Sequence, residues 1–117
     1  MGNFEKRGLD SLVSAGSALD AAPTASAAVT LYANQERVRV TIPATGTGII
    51  YLPSVSEAAG RIYTLRAVAR AGSYSNGEVS VYGAGADIVS DNMTAVNDYV
   101  IAFCDGFNWY VLKEVTT

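Results

Sequence analysis

From residue 28 onward, apolar and polar positions alternate with a period of two, the spacing of strands whose two faces see different surroundings. Residues 28–32 predict a short strand. Residues 37–42 alternate cleanly, with Val38, Val40 and Ile42 on one face and Arg37, Arg39 and Thr41 on the other. Pro43 ends that strand, Thr45-Gly46-Thr47-Gly48 supplies a turn, and residues 49–52 predict the next strand, closed by Pro53. Residues 54–60 read as a polar loop.

The longest strand predicted is 61–70, with Tyr63, Leu65, Ala67 and Ala69 on one face and Ile62, Thr64, Arg66, Val68 and Arg70 on the other. Asn76-Gly77 signals a turn before a strand at 78–82. A short strand follows at 87–89. Residues 98–104 pair with 107–115 across Asp105-Gly106, the strongest hairpin signal in the chain. In the last strand Phe107, Trp109 and Val111 share one face, and Tyr110 and Leu112 the other. Aromatic residues on both faces predict burial on both sides.

The pattern gives about eight short strands and no helix in the body, the signature of an antiparallel β-sandwich, jelly roll or small barrel. No repeat of 20–50 residues is visible, which argues against a solenoid or propeller. Residues 11–28 are rich in Ala and Ser and lack aromatic side chains. The expected organisation is therefore an N-terminal arm over 1–27 and an all-β domain over 28–117. Within and before that stretch Leu9, Leu12, Val13 and Leu19 recur at near-helical spacing, compatible with a short amphipathic helix or with a flexible tail.

Composition narrows the chemistry. The chain has 117 residues, one domain's worth. Histidine is absent, which removes the commonest general base and metal ligand. A single cysteine, Cys104, excludes an intrachain disulfide and a cysteine-cluster metal site. It reads as a small buried hydrophobe. Charged residues are 16% of the chain, against about 25% in ordinary domains. The surface is therefore polar without charge, or partly covered by other chains. The net charge of −3 argues against a nucleic-acid partner. Asp10 and Asp20 interrupt the apolar region a signal peptide needs, and no apolar run is long enough to span a bilayer.

Charge is unevenly spread. Residues 31–70 hold five arginines against Glu36 and Glu57, a balance of +3. Residues 71–117 hold six acids against Lys113, a balance of −5. Arg37, Arg39, Arg66 and Arg70 alternate along strands and are expected to meet carboxylates of a neighbouring subunit. Trp109 and Tyr110 join them as candidate intersubunit contacts. Asp87, Asp91, Asp98 and Asp105 fall near turns, where aspartate favours local hydrogen bonds. Their spacing does not match a calcium loop, and Gly83-Ala84-Gly85 lacks the lysine of a phosphate loop. No catalytic, metal or cofactor constellation is read.

Residues 48–112 resemble a β module of tailed-phage virion proteins. The residues that carry it are Ile50-Tyr51-Leu52-Pro53, Ala58-Ala59-Gly60-Arg61-Ile62-Tyr63-Thr64-Leu65, and Val79-Ser80-Val81. They continue with Gly85-Ala86-Asp87-Ile88, Asn97-Asp98-Tyr99-Val100 and the closing Asp105-Gly106-Phe107-Asn108-Trp109-Tyr110-Val111. The Asp-Gly-x-Asn-Trp ending is the most characteristic part. Such modules occur in capsid decoration (cement) proteins and in tail fibres or spikes.

The resemblance implies a virion component without catalytic residues. The resemblance covers just over half the chain, and the module is expected to stand almost alone behind an arm, which fits a decoration protein on the outer surface of a phage head. The expected partners are the major capsid protein and further copies of the chain, as a homotrimer, with no nucleic acid and no membrane. Phe4, Leu9, Leu12, Val13 and Leu19 would form the capsid-binding arm. The alternative is a receptor- or glycan-binding fibre tip, with Trp109, Tyr110 and Tyr74 as exposed platforms.

Overall fold

A computed structural model of the chain describes residues 19–72, 76–83 and 88–117. Nine strands and one short helix occur among the described residues: β1 (Leu19–Ala21), β2 (Val29–Thr30), β3 (Arg37–Ile42), β4 (Thr47–Tyr51), α1 (Val55–Ala58), β5 (Ile62–Arg70), β6 (Glu78–Tyr82), β7 (Ile88–Met93), β8 (Tyr99–Cys104) and β9 (Trp109–Val115). They form a five-stranded sheet, β1-β3-β5-β8-β9, and a four-stranded sheet, β2-β4-β6-β7. The all-β, sandwich-like expectation holds.

One core joins the two sheets. The alternating strands send Val38, Val40, Ile42, Tyr63, Leu65, Val100 and Ala102 inward from the larger sheet, and Ile50, Val79, Val81 and Met93 from the smaller. All are buried, and each aliphatic side chain removed from water contributes about 1.5–3 kcal/mol. Arg37, Arg39 and Thr41 take the opposite face of β3, as its alternation requires.

The pairing differs from the antiparallel expectation. Both sheets are mixed. β1, β3 and β5 run parallel in one, and β2, β4 and β6 run parallel in the other. Successive strands alternate between the sheets, so β1–β2, β3–β4 and β5–β6 stack as three rungs of a coil. The exclusion of a solenoid-like arrangement therefore does not hold for the first six strands. Unequal loops hide the repeat. Val38 follows its partner Leu19 by 19 residues, whereas Leu65 follows Val38 by 27. Among the described strands, antiparallel pairing occurs in β5–β8, β6–β7 and β8–β9.

β1 lies in the stretch expected to be an arm. Its three residues pair with Val38, Arg39 and Val40 of β3; Ala21 is buried and Leu19 packs against the core. Leu19 is thus a strand residue, not part of a helical stripe. Phe4, Leu9, Leu12 and Val13 lie outside the described residues. α1 replaces part of the loop expected at 54–60; one turn is too short to show a helical period, and Ala58 anchors it by full burial. In β5 a register shift opposite Val40 and Thr41 interrupts the alternation, so Ala69 is exposed instead of sharing the core face of Ala67.

Tyr63 is the largest fully buried side chain. Its hydroxyl donates to the Ala33 carbonyl at 2.5 Å and thereby ties the loop after β2 to β5. Burial, outweighing the opposing effect of Arg61, pushes its pKa up to about 12, so the donor stays protonated at any ordinary pH. Tyr63→Phe is expected to cost about 1 kcal/mol, the net worth of one hydrogen bond. In thermal unfolding that lowers the midpoint by about 4 °C. An unchanged midpoint would mean that water serves Ala33 equally well.

Candidate interaction surface

The outward face of the β5–β8–β9 region is built by the β8–β9 hairpin. In β8, Val100, Ala102 and Cys104 are fully buried, so Tyr99, Ile101 and Phe103 take the opposite face and are half-buried. Directly opposed residues share a face. Ile62, Phe103 and Tyr110 therefore form one row across the three strands; Thr64, Ile101 and Lys113 form the next, and Arg66, Tyr99 and Val115 the third. Ile62, Tyr110 and Val115 are each exposed by 40% or more. Apolar side chains thus run continuously over a sheet face turned to solvent, which marks an interaction surface more often than ordinary surface.

The hairpin turn fixes this face in register. The Asp105 carboxylate accepts from the backbone N–H of Phe107 at 2.8 Å and of Asn108 at 2.7 Å. The N–H of Asn108, then that of Phe107, holds the carboxyl below the usual carboxylate range. Gly106 takes a φ of +96°, a region open chiefly to glycine. Phe107 projects from the turn with 82% exposure. The Asp-Gly hairpin is present as expected, with a loop of four residues between Cys104 and Trp109.

β9 lies beside β7, the edge strand of the smaller sheet. Val111 and Glu114 stand opposite the buried Ala102 and Val100, on the core side, yet both are exposed. Leu112 occupies the register shift and is 56% exposed. Ser90 Oγ of β7 donates to Glu114 at 2.8 Å and ties the smaller sheet to this strand.

Trp109 takes the core face of β9, shared with Val111. It packs partly buried against the core, with its ring edge-on to Tyr63 at 5.4 Å. A side chain at Gly83 would come within 2.9 Å of the indole, so that glycine makes room for it. Trp109 is therefore partly buried on the core side, because the pairing Cys104↔Trp109 turns it that way. Tyr110 does face out. Tyr74 lies outside the described residues.

The arginines form the polar flank of the same sheet. Arg39 sits 3.6 Å from Asp20 of its own chain, an exposed pair worth about 0–1 kcal/mol. Arg66 donates to Asn97 Oδ1 at 2.7 Å. Arg70 donates to the Thr94 carbonyl, and its Nη1 is buried without a hydrogen bond. Arg37 is exposed. Among the described residues, then, only Arg39 of these four meets a carboxylate.

Of the acids expected near turns, Asp105 and Asp98 behave as the turn chemistry predicts, whereas Asp91 lies within β7. Asp105 shapes the hairpin, and Asp98, 1% exposed, binds the loop before β8. Asp87 lies outside the described residues. Cys104 is fully buried and its thiol reaches the Val55 carbonyl at 3.4 Å, as a small core residue would. Among the described residues no three His, Cys, Asp or Glu side chains gather as a possible metal site. No described helix is long and apolar enough to cross a membrane.

The outward residues Tyr99, Ile101 and Phe103 were not singled out by the sequence. A signal was there: in β8 the bulky set alternates with Val, Ala and Cys, and the smaller set faces inward. Comparison with protein-family models, with curated proteins and with solved structures finds no match to the chain.

Proposed function

We propose that this protein is a structural component of a tailed-phage virion: a decoration protein that binds the outside of the assembled head and stabilises contacts between major capsid protein subunits. The observation that carries the proposal is the broad apolar face over β5, β8 and β9, a surface suited to burial against other protein chains. The resemblance of residues 48–112 to virion modules supplies the kind of partner. The role is mechanical, without catalysis. A protein that binds the assembled shell and not free subunits adds about 2.7 kcal/mol per site at a hundredfold excess over its dissociation constant. Repetition over a lattice multiplies that effect without new contacts.

The test compares heads with and without the protein. Decorated heads should release DNA at a higher temperature and survive stronger osmotic shock. Equal release temperatures, with the protein found on the tail, would overturn the head assignment. The fibre reading draws on one observation of its own. The parallel rungs end at β1 and β2, each paired on one side among the described strands, a geometry to which a further rung can be added. The partly buried position of Trp109 weighs against its glycan-platform version.

A further inference from the structure

One row of paired residues, Asp20–Arg39–Arg66–Tyr99–Val115, crosses all five strands of the larger sheet. At its centre Arg39 and Arg66 are both exposed on the outer face and stand directly opposite each other. Their strands are about 4.8 Å apart, and like charges so placed destabilise a sheet. Asp20, 3.6 Å from Arg39, offsets one of them through an exposed and therefore weak pair. Arg66 donates to the neutral Asn97. The adjoining row adds Arg37 at one end and Lys113 at the other. On this face the described strand residues thus set four cations against the carboxylate of Asp20. That is a local balance of +3 in a chain whose net charge is −3.

We infer that this face binds a protein surface bearing clustered carboxylates, which dock on Arg37, Arg39 and Arg66 while apolar side chains of the same partner cover Ile62, Ile101 and Val115. A guanidinium accepts a carboxylate in a two-bond fork, and a carboxylate placed between Arg39 and Arg66 relieves their mutual repulsion. Asp20 and Asn97 hold the two arginines from their outer sides, so less side-chain freedom is lost on binding. Rings beside arginines also suit single-stranded nucleic acid. Here, however, Tyr99, Phe103 and Tyr110 are interleaved with the aliphatic Ile62, Ile101 and Val115, which offer no face for a base to stack on. The negative net charge repels a long polyanion, whereas the local positive patch still attracts a short acidic one. Charge and aliphatic area together therefore favour a protein partner.

This inference rests on reading the sheet face as an interaction surface and names the chemistry of what it meets. The probes are a labelled random copolymer of glutamate and tyrosine, poly-glutamate, and an oligothymidylate of equal charge, each titrated with the full chain and read by fluorescence anisotropy. The copolymer should bind most tightly and weaken as salt is raised. Arg39→Glu and Arg66→Glu should each weaken it about tenfold. Arg37→Glu, at a fully solvated position, serves where circular dichroism shows either of those variants unfolded. Ile101→Ser leaves the charge unchanged and should weaken the copolymer more than poly-glutamate. Absent copolymer binding, binding indifferent to the arginine variants, or tighter binding of the oligothymidylate overturns the inference. The same variants are then mixed with phage heads. Heads that bind wild type and the arginine variants equally overturn the inference and leave the head assignment standing. Copolymer binding that responds as expected, without binding to heads, supports the carboxylate face and overturns only the head assignment.

Discussion

Gly77→Ala is expected to be among the most damaging single substitutions in the chain. Gly77 is buried immediately before β6, where the backbone crosses Pro43 at the end of β3. A methyl group there would lie 1.6 Å from the Pro43 carbonyl oxygen and 2.6 Å from its carbon. The obstruction is backbone on both sides, so no side-chain rotation relieves it. Overpacking costs about 1–3 kcal/mol and occasionally more. This contact belongs at the upper end, and a loss of about 3 kcal/mol lowers the unfolding midpoint by about 10–15 °C.

Gly60→Ala provides the comparison. Gly60 has a φ of +79° and open space where the methyl group would go. It should lose only the conformational cost of about 1–2 kcal/mol for an L-residue in that region. The pair therefore separates close approach from backbone freedom. Thermal unfolding by circular dichroism reads both. A Gly77→Ala protein as stable as wild type would mean that the third rung does not sit over Pro43.

The same glycine shows what the sequence conceals. Asn76-Gly77 has the chemistry of a tight hairpin turn, yet the flanking strands lie in different sheets: β5 pairs with β3, and β6 with β4. Period-two alternation specifies which side chains face inward, and it placed Val38, Val40, Ile42, Tyr63 and Leu65 correctly. It does not specify which strand lies alongside or in which direction. Parallel rungs separated by 19 and 27 residues in one sheet, with loops of different length, leave no repeat to detect. β1 escaped notice because a three-residue strand in an Ala- and Ser-rich stretch is too short to show alternation. Its pairing with β3, not its own composition, makes it a strand.

The candidate surface was partly legible. Tyr110 and the two-faced apolar character of the last strand were visible in the alternation, and Asp105-Gly106 announced the hairpin. The register shift at Leu112 was not visible, and it is this shift that turns Lys113 to the outer face beside Ile101 and Glu114 to the core side beside Val100, the reverse of strict alternation from Trp109. Trp109 and Val111 were read on one shared face, and which side that face takes was open, since a large aromatic near a strand end fits either. The opposing partner settles it: Cys104 is fully buried, so Trp109 turns inward beside it.

Asp98→Ala is expected to match Gly77→Ala in severity for the opposite reason, the removal of a buried acceptor. Asp98 is 1% exposed, and its carboxylate accepts from the backbone N–H groups of Thr94 at 3.0 Å, Ala95 at 3.0 Å and Thr117 at 3.1 Å, and from the Thr117 hydroxyl at 2.5 Å. It closes the loop between β7 and β8, and its own backbone exchanges hydrogen bonds with β5 through Ala67. Each bond to a charged acceptor is worth about 1.5–3 kcal/mol, and because neighbouring bonds do not add fully, a loss of about 3–5 kcal/mol is expected. Asp98→Asn keeps the shape and one good acceptor and should lose about half as much.

Acid distinguishes this account from a simple packing role. Burial alone would raise the carboxyl pKa, but the hydrogen bonds, led by Thr117, outweigh it, and the folded value lies below the ordinary 3.8. The stabilisation is therefore complete above pH 3.8 and is lost as the pH falls through the lower folded value. Urea unfolding from pH 7 down to about 2 should show the gap between wild type and Asp98→Asn narrowing below about pH 4, because protonation costs the wild type what the variant has already lost. The low-pH loss from Asp105 is common to both proteins and cancels in the difference. A gap that stays constant through the acid range would show that the charge of Asp98 contributes nothing and that only its shape matters.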